Sequence, residues 1–133
     1  MKKTVLAALA LAALPGMAAA ETVKWLCVQK NVANREWVMK EMVLIQETEF
    51  DVWLVFDGVT KHFTGGSVPA DVKRDGQTVK LKWDVRTQGS RARRATVSYS
   101  ATFKIDQGKI QISAAPRGYD NSTNIGGTCS KLK

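Results

Sequence analysis

Between Lys73 and Arg94 the chain carries eight cations, Lys73, Arg74, Lys80, Lys82, Arg86, Arg91, Arg93 and Arg94, against two acids, Asp75 and Asp84. Groups of this kind bind phosphate and carboxylate, the planar guanidinium as a bidentate fork and the ammonium as a point charge. Lys80, Lys82 and Arg86 share one parity and so one face of a strand, and the loop that follows adds Arg91, Arg93 and Arg94 near an end of that face. These six residues are the candidate anion-binding set. The competing use of such a segment is a solvated hairpin whose charges keep an edge from aggregating. Nucleic acid is disfavoured as a partner, since it wants aromatic platforms among the cations and Trp83 points inward by parity.

Other chemistry finds less support. His62 is the only histidine, and a role as general base near Asp57 lacks an identifiable nucleophile. The carboxylate pairs Glu47 with Glu49 and Asp71 with Asp75 would suit glycoside hydrolysis if buried, but both sit beside turns, where acids are solvated. Two cysteines and one histidine do not make a four-ligand zinc site without carboxylates. Gly-x-Ser-x-Gly, His-Glu-x-x-His and a phosphate-cradling glycine loop are absent from the sequence. The expectation is a non-enzyme with no cofactor and no metal. Trp25, Trp37, Trp53 and Trp83 either fill a core or line a pocket for a small hydrophobic ligand, which keeps a carrier as the alternative function.

The compartment follows from the first 20 residues. Lys2-Lys3, an apolar run from Val5 to Leu14 and Ala18-Ala19-Ala20 have the charged, apolar and small order of a secretory signal peptide. The run is shorter than the roughly 20 residues of a membrane span, and no later stretch is long and apolar enough to be one. Residues 21–133 are therefore expected as a single exported domain, in the periplasm or secreted. Losing Lys2 and Lys3 lowers the formal charge from +8 to +6, so the domain stays basic. In an oxidising compartment Cys27 and Cys129 are expected to bond, closing a loop of about 100 residues.

Period-two alternation supplies the elements that would carry these groups. Val79, Leu81, Trp83 and Val85 alternate with Lys80, Lys82, Asp84 and Arg86, and a similar apolar set runs Ala95, Val97, Tyr99, Ala101, Phe103, Ile105. A two-residue turn at Asp75-Gly76 pairs Arg74 with Gln77 and Val72 with Val79; one at Gln107-Gly108 pairs Asp106 with Lys109 and Phe103 with Ile112. Strands are also predicted over 22–29, 42–46 and 50–56. The last has Phe50, Val52, Leu54 and Phe56 on one side and Asp51, Trp53, Val55 and Asp57 on the other, which implies cover on both faces. Asn34 caps a loop or helical turn over 35–41, Asp57-Gly58 ends a strand, and extended chain resumes over 61–64 before Gly65-Gly66.

About eight short strands with turns between them predict an all-β domain. A small antiparallel up-and-down barrel is favoured, because a bond from the first strand to the C-terminus requires those ends to be neighbours; a β-sandwich is the alternative. The turn-rich run 116–129 returns the chain to Cys27, and its Asn121-Ser122-Thr123 glycosylation pattern is discounted because the signal peptide has a bacterial form.

Trp25-Leu26-Cys27, Gly118-Tyr119 and Gly126-Gly127-Thr128-Cys129, with alternating strands between, resemble small periplasmic β-barrel proteins of proteobacteria. The layout is also similar to the exported flattened barrels that inhibit c-type lysozymes, which implies a further alternative, an inhibitor of a secreted enzyme. Their Ser-Gly-x-x-Tyr loop is missing here, and a cationic chain opposes a cationic enzyme. The function expected is non-catalytic binding or envelope association, with an anionic envelope component or an acidic protein as partner.

Overall fold

The computed structural model describes residues 21–32, 37–87, 96–118 and 122–133. Alternating apolar residues organise eight strands: β1 (Thr22–Gln29), β2 (Glu41–Glu47), β3 (Val52–Asp57), β4 (Val68–Asp75), β5 (Thr78–Arg86), β6 (Thr96–Lys104), β7 (Lys109–Pro116) and β8 (Thr123–Lys131). One helix, α1 (Gly58–Thr64), lies between β3 and β4. Each strand pairs antiparallel with the next and β8 pairs with β1, so the sheet closes as an up-and-down barrel and not as a sandwich.

Closure is covalent as well as hydrogen-bonded. Cys27 lies directly across from Cys129 with Cα atoms 3.9 Å apart, and the two sulfurs are bonded. Cross-linking residues 102 apart in sequence removes enough freedom from the unfolded chain to stabilise the fold by about 4–5 kcal/mol on the chain-entropy account. At the same seam a Cβ on Gly127 would lie 2.6 Å from the Val28 carbonyl oxygen, so glycine is what lets β8 approach β1 this closely.

The inward residues fill the barrel. Trp25 and Trp53 stack with centroids 5.2 Å apart, and Phe103 meets both edge-on at 5.5 and 6.1 Å. Further along, Trp83 stacks on Tyr99 at 5.2 Å. Leu44, Val55, Val79, Leu81, Val85 and Val97 are fully buried around these rings, each such side chain contributing about 1.5–3 kcal/mol. Antiparallel order makes the two ends unlike. Turns 48–51, 76–77 and 105–108 close one end, and the connections β1–β2, β3–β4, β5–β6 and β7–β8 all leave from the other.

Several local expectations are corrected. The first hairpin pairs Asp75 with Thr78 and Val72 with Leu81, so its turn is Gly76-Gln77 and not Asp75-Gly76. Gly76 alone takes positive φ (61°), the requirement of a turn with glycine at the first central position, whereas the expected turn would have forced Asp75 left-handed as well. The second hairpin pairs Lys104 with Lys109 and Phe103 with Ile110 around the four-residue loop 105–108, where only Gly108 has positive φ (62°). Both registers move by two residues, which leaves every side chain on its expected face.

In β3 the inward face is Trp53, Val55 and Asp57, while Val52 is 40% exposed and Phe50, in the turn before it, 72% exposed. The strand is thus covered on one face by the core and not on both. Extended chain does not resume over 61–64. Asp57 accepts from the Thr60 N–H (2.8 Å), its own N–H donates to Thr60 Oγ1 (3.0 Å), and Gly65 at φ 84° ends the helix. That reciprocal cap, with the burial of Val59 and Thr60, makes α1 out of what reads as a turn. Residues 33–36 of the Asn34 segment lie outside the described residues; 37–40 form neither helix nor strand, and Glu41 already belongs to β2.

Candidate anion-binding wall

Lys80, Lys82 and Arg86 stand exposed on the outer face of β5, as their parity requires. Arg91, Arg93 and Arg94 lie outside the described residues. The register adds neighbours that sequence reasoning missed. Lys73 of β4 is directly across from Lys80, Thr102 of β6 continues the row, and Lys104 of β6 is directly across from Lys109 of β7. Like charges at opposed positions, with Cβ atoms about 4.5–5.5 Å apart, cost stability. Here two such lysine pairs share one wall.

The expected turns hid both pairs. A turn at Asp75-Gly76 places Asp71 across from Lys80, and one at Gln107-Gly108 places Asp106 across from Lys109; in each case an acid would neutralise the lysine. The two-residue register change moves Asp71 across from Lys82 and leaves Asp106 in the loop, so that neither acid stands opposite the lysine it was expected to face. The signal that could have found the pairs is the demand for positive φ, which favours loops needing it at glycine alone.

Between β4, β5 and β6 the wall holds a groove of about 370 Å³ lined by Lys73, Lys80 and Lys82, with Asp71, Ser100 and Thr102 beside them. Lys73, Lys80, Lys82, Arg86, Lys104 and Lys109 form no ion pair among the described residues. Asp84 is occupied by Arg117, whose guanidinium donates to it at 2.8 Å and to Ser98 Oγ at 3.1 Å. Arg74 leaves the cation group: its guanidinium donates to Asp51 at 2.9 Å and to the Gly76 carbonyl at 3.1 Å. An array of ammonium groups flanked by hydroxyls can attract and hydrogen-bond phosphate or carboxylate.

Three other titratable groups, Asp51, Asp57 and Tyr99, are hydrogen-bonded into the fold. Asp51 Oδ1 accepts from Trp53 Nε1 (2.9 Å), Gln46 Nε2 (2.8 Å) and Arg74. Burial pushes its pKa up, but these donors and the Arg74 charge outweigh that and hold it below the usual carboxylate value. Asp57 is buried at the opposite end, and desolvation raises its pKa despite the bonds from Thr60 and Val59. Burial and the nearby Asp57 charge also raise the Tyr99 phenol, whose hydroxyl donates to the Trp37 carbonyl at 2.7 Å.

His62 is exposed on α1, edge-on to Phe63, and the Asp57 carboxylate is committed to the helix cap. Of the carboxylate pairs, Glu47 is half-buried and Glu49, Asp71 and Asp75 are exposed. Among the described residues no three His, Cys, Asp or Glu side chains are grouped to hold a metal, and no helix is long and apolar enough to cross a membrane. Trp25, Trp53 and Trp83 are in the core and Trp37 is half-buried at the loop end. No protein family, no curated protein and no solved structure matches the chain.

Proposed function

We propose that this is an exported, non-catalytic binding protein of the bacterial envelope whose β4–β7 wall engages anionic partners, either phosphate-bearing envelope components or acidic protein surfaces. The observation that carries the reading is that two opposed lysine pairs, Lys73 with Lys80 and Lys104 with Lys109, share one wall, on which Asp71 stands across from Lys82 and Asp84 is taken by Arg117. A fold that retains such repulsion gains from it when an anion binds. Lys82 and Arg86 extend the same face, and Arg91, Arg93 and Arg94 belong to the connection that starts at its end. Export rests on the signal-peptide order of residues 1–20 and is consistent with a bonded cysteine pair. The stacked rings inside the barrel occupy space that a carried hydrophobic molecule would need, so binding on the outside is favoured over the carrier.

The test uses residues 21–133 with vesicles containing phosphatidylglycerol and with lipopolysaccharide. The screening length shortens from about 30 Å at 0.01 M salt to about 8 Å at 0.15 M, so binding is expected to weaken steeply over that range. The combined change Lys80→Glu and Lys82→Glu is expected to reduce low-salt binding about tenfold or more. Binding indifferent to salt, or unchanged in that variant, rules out the wall. Reversing Arg91, Arg93 and Arg94 to Glu separately measures the contribution of the loop.

A further inference from the structure

The pairing of β4 through β7 sets the two lysine pairs into one compact block. Lys73, Lys80, Thr102 and Gln111 stand in a row across the four strands, and the next row toward the turn end runs Asp75, Thr78, Lys104, Lys109. Thr102 is therefore across from Lys80 and two residues from Lys104 on its own strand, while Thr78 is across from Lys104 and two residues from Lys80. The pairs meet corner to corner, with a threonine on each side of the join. Each pair also has its own recess. Lys73 and Lys80 line the groove of about 370 Å³, Lys104 and Lys109 line a second of about 190 Å³ with Gln111, and Thr102 lines both. With strands about 4.8 Å apart and two residues rising about 6.8 Å, the centres of the pairs lie about 12 Å apart on the sheet.

We infer that this block is a two-point site for a saccharide carrying two phosphate monoesters about 12 Å apart, one held by each lysine pair. The inference rests on the reading of the wall as an anion-binding surface and names the class of ligand. Charge selects the monoester: at pH 7 it carries about 1.5–2 negative charges, which matches two ammonium groups, whereas a carboxylate or a phosphodiester brings a single charge. Spacing selects two separate groups on one molecule, since phosphates joined directly to each other are too close to reach both pairs.

What lies between the pairs selects the sugar. The Thr78 and Thr102 hydroxyls and the Gln111 amide both donate and accept, as sugar hydroxyls do. The exposed large hydrophobic side chains among the described residues, Phe50, Val52 and Leu132, all lie off this wall, so it meets the polar part of its partner and not the interior of a bilayer. The acids fit the same assignment. Asp71 is across from Lys82, which offsets it in the first groove, and Asp75 stands at the outer corner beside Thr78 as an acceptor for a further sugar hydroxyl.

The test is calorimetric titration of residues 21–133 at low salt with a glucosamine disaccharide bearing a phosphate monoester on each ring, and with the same disaccharide bearing one. Phosphatidylglycerol vesicles are measured alongside. The bisphosphate is expected to bind about tenfold or more tighter than the monophosphate, because its second phosphate joins a ligand already bound. Lys73→Gln with Lys80→Gln, and Lys104→Gln with Lys109→Gln, are each expected to bring the bisphosphate down to about the monophosphate affinity. The monophosphate, which keeps the other pair, is expected to weaken only about twofold. Lys24→Gln with Lys40→Gln removes the same charge from the opposite side of the barrel and is expected to leave the preference intact. All of these lysines are exposed, and relief of opposed charge is expected to leave the paired variants at least as stable as wild type, which thermal unfolding checks. Equal affinity for the two saccharides, or a loss in the Lys24 and Lys40 variant as large as in the paired ones, overturns the two-point site. Salt-dependent vesicle binding alongside either result leaves the wall an anion-binding surface without that site. Binding to neither saccharide nor vesicle overturns both.

Discussion

At the turn end of the barrel one carboxylate oxygen, Asp51 Oδ1, gathers three donors from Gln46, Trp53 and Arg74. At the loop end the buried carboxylate is Asp57, partnered among the described residues within its own helix cap, and two polar atoms, Trp83 Nε1 and Gln29 Oε1, are buried with no hydrogen-bond partner among the described residues. The two ends contain similar side chains: a tryptophan, a glutamine and an aspartate each. What differs is the connection. Short turns bring partners from adjacent hairpins to a common point, and Asp51, in a left-handed conformation at φ 51°, is positioned to receive them. At the loop end the Tyr99 hydroxyl and Gln29 Nε2 each reach a single carbonyl, of Trp37 and Met39, and burial of Asp57 disfavours its ionisation.

The largest effect separating the two ends is expected at Asp51. Asp51→Ala leaves the buried Trp53 indole N–H unpaired and the Arg74 guanidinium without its carboxylate, and is expected to cost about 2–4 kcal/mol in urea unfolding. A loss below about 0.5 kcal/mol would mean that the cluster is replaced by water at no cost.

A matched pair of substitutions sharpens the contrast. Trp53→Phe and Trp83→Phe remove the same volume, but the first breaks a bond to Asp51 and the second removes an N–H with no partner among the described residues. Trp53→Phe is expected to be more destabilising by about 1–2 kcal/mol. Equal losses would show that the Trp83 N–H is satisfied by water.

The smallest effect is in the pH dependence, where the ends have opposite signs. The Asp51 pKa lies below its unfolded value of 3.8, so its contribution is present above that value and is lost as pH falls through the folded pKa. The Asp57 pKa lies above 3.8, so the folded state binds the proton more tightly and stability declines as pH rises from 3.8 through the raised pKa. Asparagine caps a helix about as well as aspartate. Asp57→Asn is therefore expected to equal or exceed the wild type by up to about 1 kcal/mol at pH 7. That advantage should vanish near pH 4. Asp51→Asn is expected to flatten the acid limb instead. Thermal melts between pH 3 and 7 read both.

Strand content, strand parity, the seam and its bonded cysteines were legible in the sequence because each depends on local alternation or on a covalent pair with a single possible partner. Thr22–Gln29 is a strand at the expected bounds, and Lys80, Lys82 and Arg86 face outward as their spacing requires. Parity survives a two-residue error in register, which is why the core residues of β5 and β6 were assigned correctly while both hairpin turns were placed wrongly.

Charge neighbours do not survive that error, since they depend on which residues stand opposite one another. The lysine pairs Lys73 with Lys80 and Lys104 with Lys109 were therefore decided by the folded sheet, through the preference of each turn for positive φ at glycine alone. The facing of β3 was decided in the same way. Both of its sides are apolar in sequence, and only the donors that meet at Asp51, together with the packing of Trp53 on Trp25, select the side that turns inward. Local pattern fixes what a strand can bury; closure of the barrel chooses among equal candidates, because each inward position must fit side chains arriving from every other strand.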